Sequence, residues 1–293
     1  MLSPSRRRFL KTLAAAASVP TLAGRAGAQG PAALPVPGVL GLELYSVRHL
    51  LPRDVPGTLK LIRSWGLTEV EGGSFAKQSA AETRALLDQH GLRMQSTLTG
   101  YERLRDDLTG VVADAKALGA TMVGTAWIPH ERPFGRTHVD HALTDFAAWG
   151  KALQAEGLTF FYHVHGYEFQ PAPEGTLMDT LIAKTPPEHV KFQADIFWVA
   201  RGGGDPAGLL RKYPNRFVSL HLKDIAKGTA LGDPTGTAPD EACVVFGTGQ
   251  IDFPAVLGAA RDASVKHYYI EDEHPEAEKQ IPKSIAYLAS LKV

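Results

Sequence analysis

Four short apolar runs in this chain each end in a side chain that can ligate a metal. The runs cover residues 158–165, 190–195, 217–221 and 267–271, and they end in His, Asp, His and Glu. Their length and their content of Val, Phe, Tyr and Ile are typical of strands buried on both faces of a parallel sheet. If these strands belong to one closed barrel, their terminal side chains converge at the same mouth, where barrel enzymes place their chemistry.

Strand-like and helix-like patterns alternate from residue 39 to the end of the chain, which predicts an α/β fold built as a (β/α)8 TIM barrel. A chain of 293 residues is long enough for one such barrel, which commonly needs roughly 250 residues. Strands are predicted at 39–44, 68–71, 93–97, 121–125, 159–163, 190–194, 217–221 and 267–270. Helices are predicted at 55–65, 79–90, 104–118, 138–156, 176–183, from Asp205 onward and at 275–291.

A segment rich in Gly, Thr, Pro and Asp, residues 226–246, interrupts the alternation after the seventh predicted strand. This composition predicts a long inserted loop. Loops of that length inside compact domains are often functional. The glycines at 202–204 are not followed by the Lys-Ser/Thr pair of a phosphate-binding loop, so they are interpreted as a flexible turn.

The N-terminus has the features of an export signal. Arg6 and Arg7 stand before a short alanine-rich apolar run, and Ala26-Gly27-Ala28 matches a small-residue cleavage site. The sequence therefore predicts a twin-arginine signal peptide at 1–28, cleavage after Ala28, an extended leader at 29–38 and a barrel domain at 39–293. We expect a periplasmic or secreted protein that engages the twin-arginine export machinery and has no stable membrane span, since the apolar run is too short. The alternative is a cytoplasmic protein with a basic tail.

Charge and cysteine content argue against a nucleic-acid-binding protein and against a fold held by disulfides within the chain. The chain has 31 basic and 31 acidic residues, and the predicted signal peptide contains five of the basic ones and none of the acidic ones. The mature chain would therefore be acidic, which argues against nucleic acid as a partner because phosphate binding needs clustered positive charge. Cys243 is the single cysteine, so no disulfide can form within the chain.

Four strand-end residues form the predicted metal site: His163, Asp195, His221 and Glu271. Two imidazoles and two carboxylates around one point suit one divalent metal ion, Mn²⁺, Zn²⁺, Co²⁺ or Fe²⁺. His165, two residues after His163 on the same strand, would face the same side. Each of these side chains alone could instead be a hydrogen-bonded core residue, a helix cap or part of a solvated loop. Their shared position at strand ends favours the metal site.

Two further carboxylates, Glu43 and Glu71, end the first and second predicted strands and could face the same mouth. A role in orienting other side chains or in a salt bridge is an equal alternative for each. The chain contains neither a Gly-x-Ser-x-Gly nucleophile motif nor a dinucleotide-binding fingerprint, so no further cofactor is predicted.

Several segments resemble a known family. Residues 161–169, Phe-Tyr-His-Val-His-Gly-Tyr-Glu-Phe, are similar to the Tyr-His-Asn-His-x-Phe-Glu-Phe signature of sugar phosphate isomerase/epimerase-like proteins of the xylose-isomerase-like barrel superfamily. Segments 195–199, 221–224, 246–253 and 269–271 also match family segments, and the likeness spans roughly residues 39–291. It implies a xylose-isomerase-like barrel with one divalent metal held at Asp195, His221 and Glu271. His163 stands where better-known epimerases carry a glutamate.

The resemblance implies an isomerase or epimerase that acts on a sugar, keto-sugar or polyol by proton transfer beside a metal-bound carbonyl. A lyase, dehydratase or hydratase acting on an oxidised 3-keto glycoside or an inosose is the first alternative, and a non-catalytic sugar-binding protein is the second. Expected catalytic residues are Glu271 as base, His165 as second choice of base and Lys223 as the cation that steadies an enediolate. Expected substrate-binding residues are Glu71, Tyr167, Glu168 and Trp198.

Overall fold

Eight parallel strands close into a barrel in the computed structural model, which describes residues 36–292. The strands are β1 Val39–Glu43, β2 Glu69–Gly72, β3 Arg93–Leu98, β4 Met122–Thr125, β5 Thr159–His163, β6 Val190–Asp195, β7 Phe217–Leu222 and β8 His267–Ile270. Each strand pairs with the next along the chain, and β1 pairs with β8 to close the ring. The predicted (β/α)8 fold is confirmed.

Helices cover the outside of the barrel. They are α1 Val55–Ser64, α2 Ala80–Gln89, α3 Tyr101–Asp106, α4 Leu108–Leu118, α5 Arg136–Ala155, α6 Leu177–Lys184, α7 Ile196–Arg201, α8 Pro206–Lys212, α9 Phe253–Asp262 and α10 Ala277–Ser290. The predicted capping box of α2 is present: the Ser79 hydroxyl accepts from the Glu82 N–H, and Glu82 accepts from the Ser79 N–H.

The two faces of the strands have different chemistry. The outward face is apolar, as where Phe160 of β5 packs against Phe146 and Trp149 of α5. The inward face carries polar side chains that bond across the barrel, as where Tyr269 of β8 donates to Glu69 of β2 over 2.9 Å. These buried polar side chains form the floor beneath the mouth.

Three details differ from the prediction. The helix predicted at 104–118 is two helices, because Asp107 leaves the helical conformation and its side chain caps α4 by accepting from the Gly110 N–H at 3.0 Å. Helices α7 and α9 were not predicted. Within the predicted 226–246 loop, Cys243–Val244 pairs antiparallel with Asp224–Ile225.

The predicted signal peptide, its cleavage site and most of the predicted leader lie outside the described residues. Within 36–292, no helix is both long and apolar enough to cross a membrane.

Candidate active site

Three of the predicted metal ligands meet at the carboxyl end of neighbouring strands. One ligand atom each of His163, Asp195 and His221 lies within 4.8 Å of the other two, and all three side chains are buried. Asp195 and His221 are also register partners on β6 and β7. Glu271, the fourth predicted ligand, adjoins this group, since its Oε2 lies 2.9 Å from His221 Nδ1.

Gln193 determines which nitrogen of His163 is free. The Gln193 amide N–H₂ donates to both carboxylate oxygens of Glu71, each at 2.9 Å, and to the Ser219 hydroxyl. Its Oε1 therefore accepts from His163 Nδ1–H, 2.8 Å away. The lone pair of His163 then lies on Nε2, and burial holds the pKa of this imidazole well below its usual range. His163 is thus a neutral imidazole with a free acceptor nitrogen, which is the form that binds metals.

Asp195 offers a carboxylate oxygen without a partner. Its Oδ1 accepts from the Trp198 N–H at 3.0 Å and so caps α7. Its Oδ2 is buried and has no hydrogen-bond partner among residues 36–292, with His221 Nδ1 and Lys223 Nζ each 3.9 Å away. Burial raises the pKa of this carboxyl to about 7, although Lys223 opposes the shift. A buried oxygen of this kind is costly unless a cation binds it, so the donor set fits a divalent metal.

His221 is held between two carboxylates. Its Nε2 bonds to Glu71 and its Nδ1 faces Glu271. Burial would lower the pKa of His221, but the charge of Glu71 and the hydrogen bond to Glu271 outweigh it and raise this pKa well above the usual range. A metal ion that binds this ring would therefore displace a proton from it. A carboxylate on the second ring nitrogen is the common support of a metal-binding histidine. Glu71, expected to bind substrate, instead lies beneath the site and orients His221 and Gln193.

Lys223 was expected to steady an enediolate, and the structure buries it beside Glu271 and Glu273. Its side chain is 1% exposed, and its ammonium lies 3.4 Å from Glu271 Oε2 and donates to Glu273. Burial would raise the pKa of Glu271, yet Lys223 and His221 together hold it well below its usual range. Lys223 therefore acts on the charge and position of Glu271.

A cavity of about 470 Å³ opens above this group at the barrel mouth, a size typical of small-molecule sites. Its wall consists of Glu43, Tyr45, Leu98, Ala126, His163, His165, Trp198, His221, Gly236, Thr237, Ala238, Glu271 and Glu273. The predicted metal ligands His163, His221 and Glu271 thus share one cavity with the predicted residues His165 and Trp198.

His165 stands in this wall against Trp198. The two rings stack with centroids 4.5 Å apart and planes 19° apart, and His165 Nδ1 is without a hydrogen-bond partner in the described chain. Burial and then Lys223 lower the pKa of His165 to about 4. The imidazole is therefore neutral at physiological pH and can accept a proton.

Tyr167 and Glu168, both expected to bind substrate, lie behind the wall. The Tyr167 hydroxyl accepts from the Ile128 N–H at 2.8 Å and contacts the Tyr162 hydroxyl at 2.7 Å. Glu168 is buried, accepts from the Tyr162 hydroxyl and accepts from the His165 N–H at 3.0 Å. These contacts fix the backbone that carries His165, so both residues support the site from behind.

The inserted loop covers one side of the cavity through Gly236, Thr237 and Ala238. Arg201, at the end of α7, holds this loop: its guanidinium donates to Ala230 O at 2.6 Å and to Thr237 O at 3.3 Å, and it pairs with Asp233. The sequence did not single out Arg201 or Gln193, because both act through contacts distant in sequence. Glu43 lines the cavity, as its position at the end of the first predicted strand had indicated.

A second cavity, of about 480 Å³, lies between the end of β3 and helix α4. It borders the site cavity at Leu98, and its Arg103 is paired with Asp114 at 2.6 Å. Neither of the two groups of potential metal ligands in the described chain, His163–Asp195–His221 and Glu43–Glu71–His221, belongs to it. We therefore place the chemistry in the cavity at the barrel mouth.

Comparison with known proteins finds related chains and structures of the same fold. Residues 59–291 match a family described as xylose isomerase-like TIM barrel. The chain is 27% identical over 271 residues to the inosose dehydratase of Geobacillus kaustophilus, covering 74% of this chain and 86% of that protein. A sugar phosphate isomerase/epimerase from Parabacteroides distasonis shares the fold at a TM-score of 0.71 and 22% identity, covering 86% of this chain and 94% of that one. The IOLI protein with a binding zinc atom shares it at a TM-score of 0.63 and 15% identity, covering 86% and 95%.

Proposed function

The chain belongs to the xylose isomerase-like TIM barrel family, and on that premise we propose that it is a divalent-metal-dependent enzyme that moves a proton beside the carbonyl of a keto-sugar or keto-polyol. Isomerisation, epimerisation and dehydration all begin with this step. The observation that supports it most is the unpartnered Asp195 Oδ2 beside the free nitrogen of His163. His163 lines a cavity whose wall also holds two proton acceptors, His165 and Glu271, and Asp195 is buried next to this wall.

His163, Asp195 and His221 would hold the metal, with Glu271 as the adjoining fourth ligand or base. A metal bound there supplies a Lewis acid that polarises a carbonyl and makes the neighbouring C–H more acidic. The zinc-bound IOLI protein and an L-ribulose 3-epimerase are among the structural relatives, which is consistent with this chemistry. His163, being neutral, leaves more positive charge on the ion than a third carboxylate would.

Glu271 is the proposed base. Its low pKa keeps it ionised at neutral pH, and contacts with Lys223 and His221 fix its position. His165, also unprotonated at that pH, is placed to move a second proton or to orient a substrate hydroxyl. Trp198, stacked on His165, adds an aromatic surface to the cavity wall.

The charge of the cavity favours an unphosphorylated substrate. Its wall contains the carboxylates Glu43, Glu271 and Glu273 and neither arginine nor lysine. The nearby ammonium of Lys223 is already paired with Glu271 and Glu273. A phosphate group would therefore lack a cationic partner here beyond the metal itself.

Dehydration is the second candidate reaction, and the curated relatives favour it, since they are inosose dehydratases. Loss of a hydroxyl from the carbon next to the proton-losing carbon would complete that reaction. It uses the same metal and the same base, so the two candidates differ only in the step after proton removal.

Proton exchange in D₂O tests the proposal. Metal-loaded protein would be incubated with keto-sugars, 3-keto glycosides and keto-inositols, and the carbon beside the carbonyl would be monitored by NMR. We expect deuterium uptake with at least one class, and a loss of ~10²–10⁴-fold in the Glu271→Gln variant with metal still bound. Glu188→Gln, an exposed residue at the opposite end of the barrel, is the matched control.

Saturable sugar binding without any exchange would contradict the enzyme and favour a sugar-binding protein. Near-wild-type exchange in the Glu271→Gln variant would instead remove Glu271 from the role of base and leave His165 as the alternative.

A further inference from the structure

The wall of the mouth cavity differs in chemistry between its two sides. The ends of β5–β8 and the segments that follow them contribute His163, His165, Trp198, His221, Glu271 and Glu273. The ends of β1, β3 and β4 contribute Tyr45, Leu98 and Ala126, and Glu43 is the charged side chain among them. We call Tyr45, Leu98 and Ala126 the apolar side of the cavity. The proposed proton transfer uses none of these three residues.

Tyr45 is the part of the apolar side that a ligand reaches most easily. It lies in a short 3₁₀ turn, Leu44–Val47, directly after β1, and it is 50% exposed although it lines the cavity. Single exposed apolar residues are common on protein surfaces, so the exposure alone does not indicate a binding site. It does establish that a molecule in the cavity can contact this side chain.

Arg48 holds the ring of Tyr45 in place. The guanidinium carbon of Arg48 lies 4.3 Å from the ring centroid, within the range of a cation–π contact. The same guanidinium donates to Tyr45 O at 3.0 Å, to Glu273 O at 3.1 Å and to Asp240 Oδ2 at 3.2 Å. One face of the ring therefore packs on the protein while half of the residue stays open. A ring that is already fixed loses little conformational freedom when a ligand packs on it.

Trp127 places a second exposed aromatic ring beside the apolar side. It follows the wall residue Ala126 and is 38% exposed. Its ring stacks on His130 with centroids 4.8 Å apart, and its centroid lies 5.3 Å from that of His165 in the cavity wall. The rim of the mouth thus has two fixed aromatic rings, one after β1 and one after β4.

An aromatic group suits the apolar side better than a second sugar does. Aromatic rings pair favourably with one another, stacked or edge to face, and Leu98 and Ala126 add aliphatic surface next to Tyr45. The hydroxyls of a second sugar would instead need hydrogen-bond partners. Both terminal nitrogens of Arg48, the nearest cation, already donate to protein oxygens.

We propose that the apolar side binds the aromatic aglycone of a glycoside and that Tyr45 selects this aglycone. The inference rests on the proposed function and names its substrate class, an aryl glycoside of a keto-sugar. The keto-sugar ring would lie at the metal on the β5–β8 side, with the aglycone toward Tyr45. A cavity of about 470 Å³ is in the range of sites for drug-sized ligands, which are larger than a monosaccharide.

The test varies only the aglycone. Metal-loaded protein would be given the methyl, phenyl and glucosyl glycosides of one 3-keto sugar. Calorimetric titration measures the affinity for each, and deuterium exchange in D₂O measures its turnover. We expect the phenyl glycoside to bind ~10-fold or more tightly than the methyl glycoside, and the glucosyl glycoside to bind about as the methyl glycoside does.

Substitutions of Tyr45 test whether its ring is the contact. Tyr45→Ala should reduce the preference for phenyl over methyl to ~2-fold or less, with the loss in KM rather than in kcat. Tyr45→Phe retains the ring and should retain the preference. Leu231→Ala, which alters a residue that is 49% exposed and outside the cavity wall, is the matched control. Metal content and the thermal midpoint of Tyr45→Ala show whether the fold is intact.

Distinct results would overturn the inference and the proposed function. A phenyl glycoside that binds no better than the methyl one, or a preference that survives Tyr45→Ala, would reject the inference, while deuterium exchange keeps the proposed function. A preference for the glucosyl glycoside that Tyr45→Ala removes would assign the apolar side to a second sugar and reject the aromatic aglycone. A phenyl preference without exchange would reject the proposed function and keep Tyr45 as the aglycone contact. Neither binding nor exchange would reject both.

Discussion

Gln193 is the residue on which the form of the candidate metal centre most depends. It bonds to His163, Glu71 and Ser219 at once, and each contact uses a different donor or acceptor of one amide. Because the amide N–H₂ is taken by Glu71 and Ser219, the oxygen must face His163 Nδ1–H. A neighbour that makes no contact with the metal thus selects the nitrogen that would bind it.

This gives a prediction for Gln193→Leu. The variant should lower divalent-metal affinity by ~10–100-fold, as is common when a supporting contact of a ligand is lost. His163 would be free to turn, and the carboxylate of Glu71 would lose its amide donor. Competition titration of Zn²⁺ against a chelator measures the change. Ser219→Ala, which removes only one bond to the same amide, is the control, and equal affinities in wild type and Gln193→Leu would contradict the tautomer argument.

Glu168 gives a prediction for the pH dependence of stability. Burial raises the pKa of its carboxyl to about 7, whereas in the unfolded chain a glutamate titrates near ~4.3. The folded protein therefore binds this proton more tightly, and the stability that it contributes at low pH is lost as the pH rises from ~4.3 through about 7.

Glu168→Gln should remove this loss of stability at higher pH, because glutamine does not titrate. Between pH 5 and pH 8, the free energy of unfolding of the variant should rise by on the order of 2 kcal/mol relative to that of the wild type. Denaturant titration at each pH measures this difference. Glu188→Gln, an exposed substitution, should follow the wild type. Parallel pH curves for Glu168→Gln and wild type would refute the burial argument.

At the scale of elements, α7 connects the candidate metal site to the cavity cover. Asp195 caps the first turn of this helix, Trp198 in its middle lies in the cavity wall, and Arg201 at its end holds the inserted loop. This one short helix therefore joins a candidate metal ligand, an aromatic ring of the cavity wall and the loop that covers the cavity.

Arg201→Ala should free the loop while leaving the barrel intact. We expect faster amide hydrogen exchange at residues 228–238, because the guanidinium bonds to Ala230, Asp233 and Thr237 would be lost. Exchange in the barrel strands should not change. Arg211→Ala, an exposed arginine of α8, is the matched control. Unchanged exchange in the loop of Arg201→Ala would mean that other contacts hold the loop.

At the scale of the whole molecule, the sequence predicted the barrel because apolar strands and capped helices alternate with a regular spacing. It also placed His163, Asp195, His221 and Glu271 at one end, since the carboxyl ends of parallel strands share a face. It missed α7 because that helix starts directly at Asp195 without a linker. It also indicated that Glu43 could face the mouth. It could not reveal Gln193 as a site residue, since the partners of Gln193 come together only when the barrel closes.

Export is a prediction at this same scale and concerns residues outside the described ones. Mass spectrometry of the protein from its native envelope should find Gln29 at the N-terminus, as cleavage after Ala28 requires. Replacing Arg6 and Arg7 with lysine should leave the protein in the cytoplasm, because the twin-arginine pair is read by its receptor. Normal export of that double variant would refute the assignment.

The proposed chemistry depends above all on one divalent ion binding where β5, β6 and β7 end. Crystals grown with Mn²⁺ or Zn²⁺ and measured by anomalous scattering test this most directly. We expect a single strong peak at roughly 2.0–2.3 Å from His163 Nε2, Asp195 Oδ2 and a ring nitrogen of His221. A peak bound by Glu43 and Glu71 instead, or no peak at the barrel mouth, would contradict it.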